Sequence, residues 1–322
     1  MHLAVYLPLV IPVLAALAAR PLADRLPPVA ATWLLAGSSL ALAVASSAVL
    51  GLLALTALVR VPLVATVANT SVEAISRSDT VSLPVAIAAG ALLAAAAAAA
   101  CRALWRRGAA IVGAGRQARR LPGSGQVVVT EDDAADAYTL PGWPCRIVIT
   151  SGMLRALTES ERKVLVAHER AHAGGSHYLF TSAARLAAAA NPLLRPVAAQ
   201  VGYTVERWAD EHAAAAAGDR PLTARAIARA AMASTAAPPD RAGQATALGL
   251  VGDEDAEREQ KASLRRAGPV PRRVAALLGP PPRTSLLLLA GAVLLVALSG
   301  ASALEAARNL HQLLELAQAA RS

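Results

Sequence analysis

His168-Glu169-Arg170-Ala171-His172 places two imidazoles and a carboxylate within five residues. On a helix, residues four apart share a face, so His168 and His172 can reach one metal ion while Glu169 projects beside them. The H-E-x-x-H spacing supplies two zinc ligands and a general base, the parts needed for metal-assisted hydrolysis. A chance match on a solvated helix is the plain alternative, and the flanks argue against it. Thr158-Glu159-Ser160-Glu161 reads as a capping box that starts the helix. Gly174-Gly175 stops it just after the second histidine, and Val164, Leu165 and Val166 give it an apolar flank to bury.

A third ligand must come from a separate element, and Thr204-Val205-Glu206-Arg207-Trp208-Ala209-Asp210 offers a helix 34 residues beyond His172. Glu206 can complete a His₂Glu set holding one zinc ion per chain, with water in the fourth position. Asp210, four residues on, can orient a ligand histidine by accepting its second ring N–H. His177 stands one residue short of the third histidine of the longer motif, where Tyr178 is found, and reads as a surface histidine or one just behind the ligands. His212 lies six residues from Glu206, roughly 240° around the helix, and points away. His2 and His311 carry no signal.

With these segments on view, the chain resembles a family. Ala137-Tyr138-Thr139-Leu140-Pro141-Gly142, then Arg146 to Leu154, then the capping box and the H-E-x-x-H helix look like the membrane-embedded gluzincin peptidases. That group includes the BlaR/MecR-type antirepressor proteases and the related HtpX and CAAX-processing enzymes. The resemblance spans about residues 125 to 280. It implies a zincin-like metallopeptidase domain in which His168, His172 and Glu206 bind zinc and Glu169 is catalytic. Arg273, in Arg272-Arg273-Val274-Ala275-Ala276-Leu277-Leu278, is similar to the family's late arginine, a candidate substrate or transition-state contact. A juxtamembrane charge explains that arginine equally well. Asp136 departs from the HtpX-like pattern, which usually has Asn there. About 18 residues follow the last apolar segment, so no C-terminal sensor domain is expected.

Positioning such a site falls to a chain that is 55% hydrophobic, only 3% aromatic, and +9 in net charge. Four apolar runs are long enough to span a bilayer: Leu3 to Ala19, Ala30 to Val59, Leu83 to Cys101, and Ser285 to Leu304. The third is Ala-rich, with residues 94 to 100 all Ala, and a buried or surface helix is its alternative. The first run lacks the basic leader of a signal peptide and is read as a retained helix. Arg102, Arg106, Arg107, Arg116, Arg119 and Arg120 follow the third run, and Lys261, Arg265, Arg266, Arg272, Arg273 and Arg283 precede the fourth. By the positive-inside rule the stretch between them is cytoplasmic, as is the short 20–29 loop, while the 60–82 loop and both termini face out. The positive charge then answers anionic lipid headgroups; no basic, aromatic-studded patch points to nucleic acid. Cys101 and Cys145 fall on the reducing side, and a disulfide is not expected.

The expected architecture is a mainly α membrane protein with about four transmembrane helices and a small α+β domain. Short strands are expected at Gln126–Thr130, Asp136–Leu140 and Arg146–Thr150, separated by turn chemistry such as Pro141-Gly142. Residues 178–203 are apolar but interrupted by Arg185, Arg195 and Asn191-Pro192, which predicts an amphipathic hairpin on the bilayer surface, with a re-entrant pair as the alternative. Residues 235–269 read as a flexible linker. The division is a three-helix membrane region (1–107), a cytoplasmic zinc domain (108–234), a linker with a basic juxtamembrane segment (235–284), and a fourth span with a short tail (285–322). Two function classes follow: a zinc endopeptidase acting on a cytoplasmic or membrane-proximal protein, and a non-catalytic signalling or scaffold protein on a peptidase fold. The intact set of Glu169 and three ligands favours the enzyme.

Overall fold

Proline placement shapes the first membrane helix. In the computed structural model, which describes residues 7–58, 82–235, 269–281 and 285–319, helix α1 runs Leu7–Arg25 with Pro12 and Pro21 inside it. Pro12 has no N–H to give the carbonyl four residues earlier, that of Pro8. The hydroxyl of Ser46, on helix α2 (Pro28–Leu58), donates to that carbonyl at 2.6 Å instead. The expected 20–29 loop therefore shrinks to Leu26 and Pro27. Arg25 suits the negative end of α1, and Pro28 opens α2 at a position where a missing N–H costs nothing. The buried Arg207 guanidinium donates to the Ala23 carbonyl at 2.6 Å and satisfies one of the last acceptors of α1.

Helix α3 (Leu83–Arg120) continues without a break from the Ala-rich run into the arginine cluster. Its apolar window has a mean hydropathy of 2.1. With α1, α2 and a late helix, Leu286–Ala319, it makes four helices among the described residues that are long and apolar enough to cross a membrane. The outer loop expected at 60–82 and the linker expected at 235–269 lie almost wholly outside the described residues, as does Leu3 to Tyr6.

Strands β1 (Val127–Thr130), β2 (Ala137–Leu140) and β3 (Arg146–Thr150) form a sheet of order β1-β3-β2. The central β3 is parallel to β1 and antiparallel to β2. All five of its residues are buried. Even Arg146 is, because its guanidinium donates to the carbonyls of Gly123 and Gly125. Thr150 caps the short helix α4 (Ser151–Ala156) by accepting from the Met153 N–H. Gly152 there lies directly under the 131–136 loop: a Cβ would stand 2.2 Å from the Asp133 carbonyl oxygen. Gly152→Ala should lower stability by about 1–3 kcal/mol, the usual range for overpacking. An unchanged unfolding midpoint in detergent would show that the loop moves aside freely.

Then come α5 (Glu159–Gly174), α6 (His177–Ala190), a 3₁₀ turn at Pro192–Leu194, α7 (Arg195–Ala217), α8 (Arg220–Thr235), α9 (Pro269–Leu278) and the late helix, α10. The α6–α7 hairpin corrects the expectation of a surface hairpin. It packs along α2, with the Thr32 and Thr204 hydroxyls 2.9 Å apart near its base and Asn191 at its tip donating to Ser46 at 3.1 Å. Thr32 and Ser46 are about 21 Å apart along α2 at 1.5 Å per residue, so the hairpin enters well between the membrane helices. Small buried residues permit the approach: Ala184, Ala187 and Ala188 on α6. Asn191, which looked like an interruption, satisfies the tip, accepting from the Leu193 N–H with its side-chain oxygen. The exposed Arg195 sits at the tip rather than along the packed faces.

Candidate metal centre

The phase of α5 is set at its first turn. Thr158 accepts from the Glu161 N–H, and the Glu161 carboxylate accepts from the Thr158 N–H at 2.9 Å. Arg229 on α8 adds a 2.7 Å contact to the same carboxylate. With that start fixed, Val164 packs against Ala213 of α7 and Ala226 of α8. One turn later His168 and Glu169 are buried on the side where α5 meets α7 and β2. Helix α7 presents Glu206 and Asp210 to them.

His168, His172 and Glu206 come together. The Nε2 atoms of His168 and His172 are 3.1 Å apart. Glu206 places Oε2 3.6 Å from His168 Nε2 and Oε1 3.5 Å from His172 Nε2. Bonds of about 2.0–2.2 Å at tetrahedral angles require ligand atoms about 3.4 Å from one another. One donor atom from each of the three lies within 4.8 Å of the others, close enough to converge on a single zinc ion. Two nitrogens and one carboxylate oxygen also suit zinc chemically.

Around them lies a tight set of partners. Asp210 Oδ1 is 3.0 Å from His168 Nδ1, the nitrogen turned away from the other donors. Arg273 on α9 grips Asp210 with two contacts of 2.7 and 2.6 Å and reaches Glu206 Oε2 at 2.9 Å. Its guanidinium thus lies among these side chains. Thr139 on β2 lies 2.9 Å from the Glu169 carboxylate and 3.1 Å from the Glu169 carbonyl, its hydroxyl the donor. His177 is buried, with Nδ1 3.0 Å from His172 Nδ1. It is therefore behind the donors rather than on the surface. His212 is exposed.

Burial and charge set the titration of these groups. Burial pushes the Glu169 carboxyl up, and the nearby His168 and the Thr139 hydroxyl only partly oppose it. Burial acts the same way on Glu206, but Arg273 and the two histidines outweigh it and hold Glu206 well below the ordinary range. Asp210 is lowered for the same reason: Arg273 overrides its burial. Burial would lower His168, but Asp210 and Glu206 overcome that and raise it to about 10. His172 is pulled down to about 4, chiefly by burial. The carboxylates thus already attract positive charge to His168 Nε2, and a divalent cation there would displace the proton.

The model of peptidase family M48 matches residues 98–280, more than half of the chain. The chain belongs to peptidase family M48. No curated protein and no solved structure matches it. Membership and the His168, His172, Glu206 cluster together identify a zinc-metallopeptidase active site in a membrane protein. In this M48 peptidase the matched segment begins within α3 and ends just past α9, so it takes in every residue of the site described above.

Two participants escaped the sequence. Thr139 belongs to a motif that the resemblance flagged, yet nothing local predicts its contact with a residue 30 positions on. Arg272 stands beside Arg273 and does different work. Its guanidinium lies 3.9 Å over the Tyr203 ring and donates to Asp24 at 2.7 Å, tying α9 to the end of α1. A lone basic pair carries no periodic signal from which either role could be read.

Proposed function

We propose that this M48 peptidase is a zinc endopeptidase that cuts a cytoplasmic or membrane-proximal protein at the base of its membrane bundle. The observation that carries this reading is the convergent three-donor cluster with the buried Glu169 beside it. His168, His172 and Glu206 would hold one zinc ion. Zinc, when bound, polarises the scissile carbonyl and lowers the pKa of water. Glu169 takes a proton from the attacking water and hands it to the leaving amine nitrogen; its raised pKa brings it closer to working pH. Thr139 holds Oε2 of that carboxylate and fixes its orientation. Asp210 orients His168. Arg273 keeps Asp210 and Glu206 in place and supplies positive charge where the substrate's oxyanion develops.

A cavity of about 1210 Å³ supports a peptide substrate; its lining includes Thr139, His172, Tyr178, Arg185 and Glu206. Small-molecule pockets occupy about 300–1,000 Å³. Strand β2, at the edge of the sheet, adjoins it, and an extended substrate segment can add to that edge. The 137–142 and 146–154 segments support the wider gluzincin group, and Asp136, which departs from the HtpX-like pattern, inclines the reading to the BlaR/MecR antirepressor type and so to regulatory proteolysis. The four-part division at 107/108, 234/235 and 284/285 belongs to this proposal. So do the bilayer as partner and the exclusion of nucleic acid, argued from the lipid-facing positive charge. Zinc analysis of the purified chain tests the core of the reading: one zinc per chain is expected, and none would end it.

The arginines at 102–120 support a cytoplasmic zinc site, by the positive-inside rule. With Cys101 and Cys145 replaced by Ser, a single Cys at Ser76 should react with impermeant reagent in intact cells, and one at Ser124 should not. The reverse pattern would invert the topology and remove cytoplasmic proteins from the list of substrates.

A further inference from the structure

His177 is held in a way that a solvated histidine would not need. Its side chain is buried, 2% exposed. It opens α6 directly after Ser176, whose φ of 49° lies in the left-handed region. A non-glycine residue there costs about 1–3 kcal/mol and persists only where the surroundings impose it. Before Ser176 comes Gly175, where a Cβ would stand 2.4 Å from His177 Nε2. Position 175 must be bare for the imidazole to sit where it does. Trp208 of α7 packs against the same ring, with centroids 4.6 Å apart.

What this placement delivers is one nitrogen. His177 Nδ1 lies 3.0 Å from His172 Nδ1. The other nitrogen of His172, Nε2, faces His168 Nε2 and Glu206 Oε1. An imidazole ligates through an unprotonated nitrogen, so a His172 that binds metal through Nε2 carries its proton on Nδ1. His177 Nδ1 is then the acceptor, and its own proton sits on Nε2. We propose that His177 is a positioning residue for the metal, fixing the tautomer and ring plane of His172 as Asp210 does for His168. The inference rests on the zinc reading above and extends it to a residue outside the donor set. The two ligand histidines are held by different chemistry: a carboxylate behind one, a neutral imidazole behind the other.

Zinc affinity of the full chain in detergent, measured by competition with a chelator, tests this without any proteolysis assay. His177→Phe keeps a ring against Trp208 but removes the acceptor, and affinity should fall about 10–100-fold, the usual cost of losing such a partner. His177→Asn retains an acceptor near the Nδ1 position and should recover most of that loss. Gly175→Ala, whose Cβ would press the His177 ring and also stand 2.9 Å from the Ala171 carbonyl oxygen, should reproduce it. The visible spectrum of the cobalt-loaded protein should shift in the Phe variant and return in the Asn variant. Wild-type affinity in His177→Phe, or an Asn variant as weak as the Phe variant, would overturn the proposal. Should the Phe variant not fold, unchanged affinity in Gly175→Ala does the same. A wild-type chain that takes up no zinc refutes the metal reading itself, and this inference with it.

Discussion

Glu169→Gln leaves one zinc per chain and lowers peptide hydrolysis by about 10²–10⁴-fold, the usual contribution of a positioned general base. The shapes of the two side chains match, so the Gln carbonyl can still accept from the Thr139 hydroxyl that now lies 2.9 Å from the carboxylate. No ligand is lost, because the donor set is His168, His172 and Glu206. The proton acceptor is lost. Burial already disfavours the charged form of Glu169, so a neutral amide should fold at least as well. The raised pKa also fixes the sign of the wild-type acid limb. Activity needs the carboxylate, so it falls as pH drops through a pKa above the ordinary glutamate value. Zinc analysis alongside cleavage of an unfolded protein substrate checks both halves. Undiminished turnover in the Gln variant would move the base elsewhere. Equal, background cleavage by wild type and variant would favour a non-catalytic scaffold.

What the sequence disclosed and what it hid divide along the range of the interactions. The α5 helix, its capping box and the H-E-x-x-H face were legible because capping and helical spacing act over three to five residues. The strands were legible to within one residue of each end, since β-rich runs alternate with turn residues. Hairpin depth was not. Arg185, Arg195 and Asn191 dilute any hydropathy window over 178–203, while the contact that seats the tip joins Asn191 to Ser46, 145 residues away. Pro12 likewise reads as a helix breaker until a hydroxyl from α2 is seen to serve the Pro8 carbonyl. Arg273 was flagged only by the family resemblance; its meeting with Asp210 across 63 residues has no local pattern to mark it. His177 needed the left-handed Ser176 to reach His172, a turn that no residue preference at Ser announces.

Glu206→Ala should weaken zinc binding by more than about 100-fold, beyond the 10–100-fold that loss of a partner behind a ligand costs. The carboxylate contributes twice. It is the only donor of the three that brings negative charge, and it sits 3.5–3.6 Å from both histidine Nε2 atoms. Removing it leaves the two imidazoles facing the buried guanidinium of Arg273, which now pairs with Glu206 at 2.9 Å. That cation would then repel an incoming metal with only Asp210 to balance it. Fold stability should change little, because the Glu206 side chain is 37% exposed and Arg273 keeps both contacts to Asp210. Asp210→Asn makes the informative comparison. It preserves all three donors and should lose only about 10–100-fold in affinity, as expected for a group acting through His168. Chelator competition on the two variants orders them, and a Glu206→Ala protein that binds zinc as tightly as wild type would remove Glu206 from the ligand set.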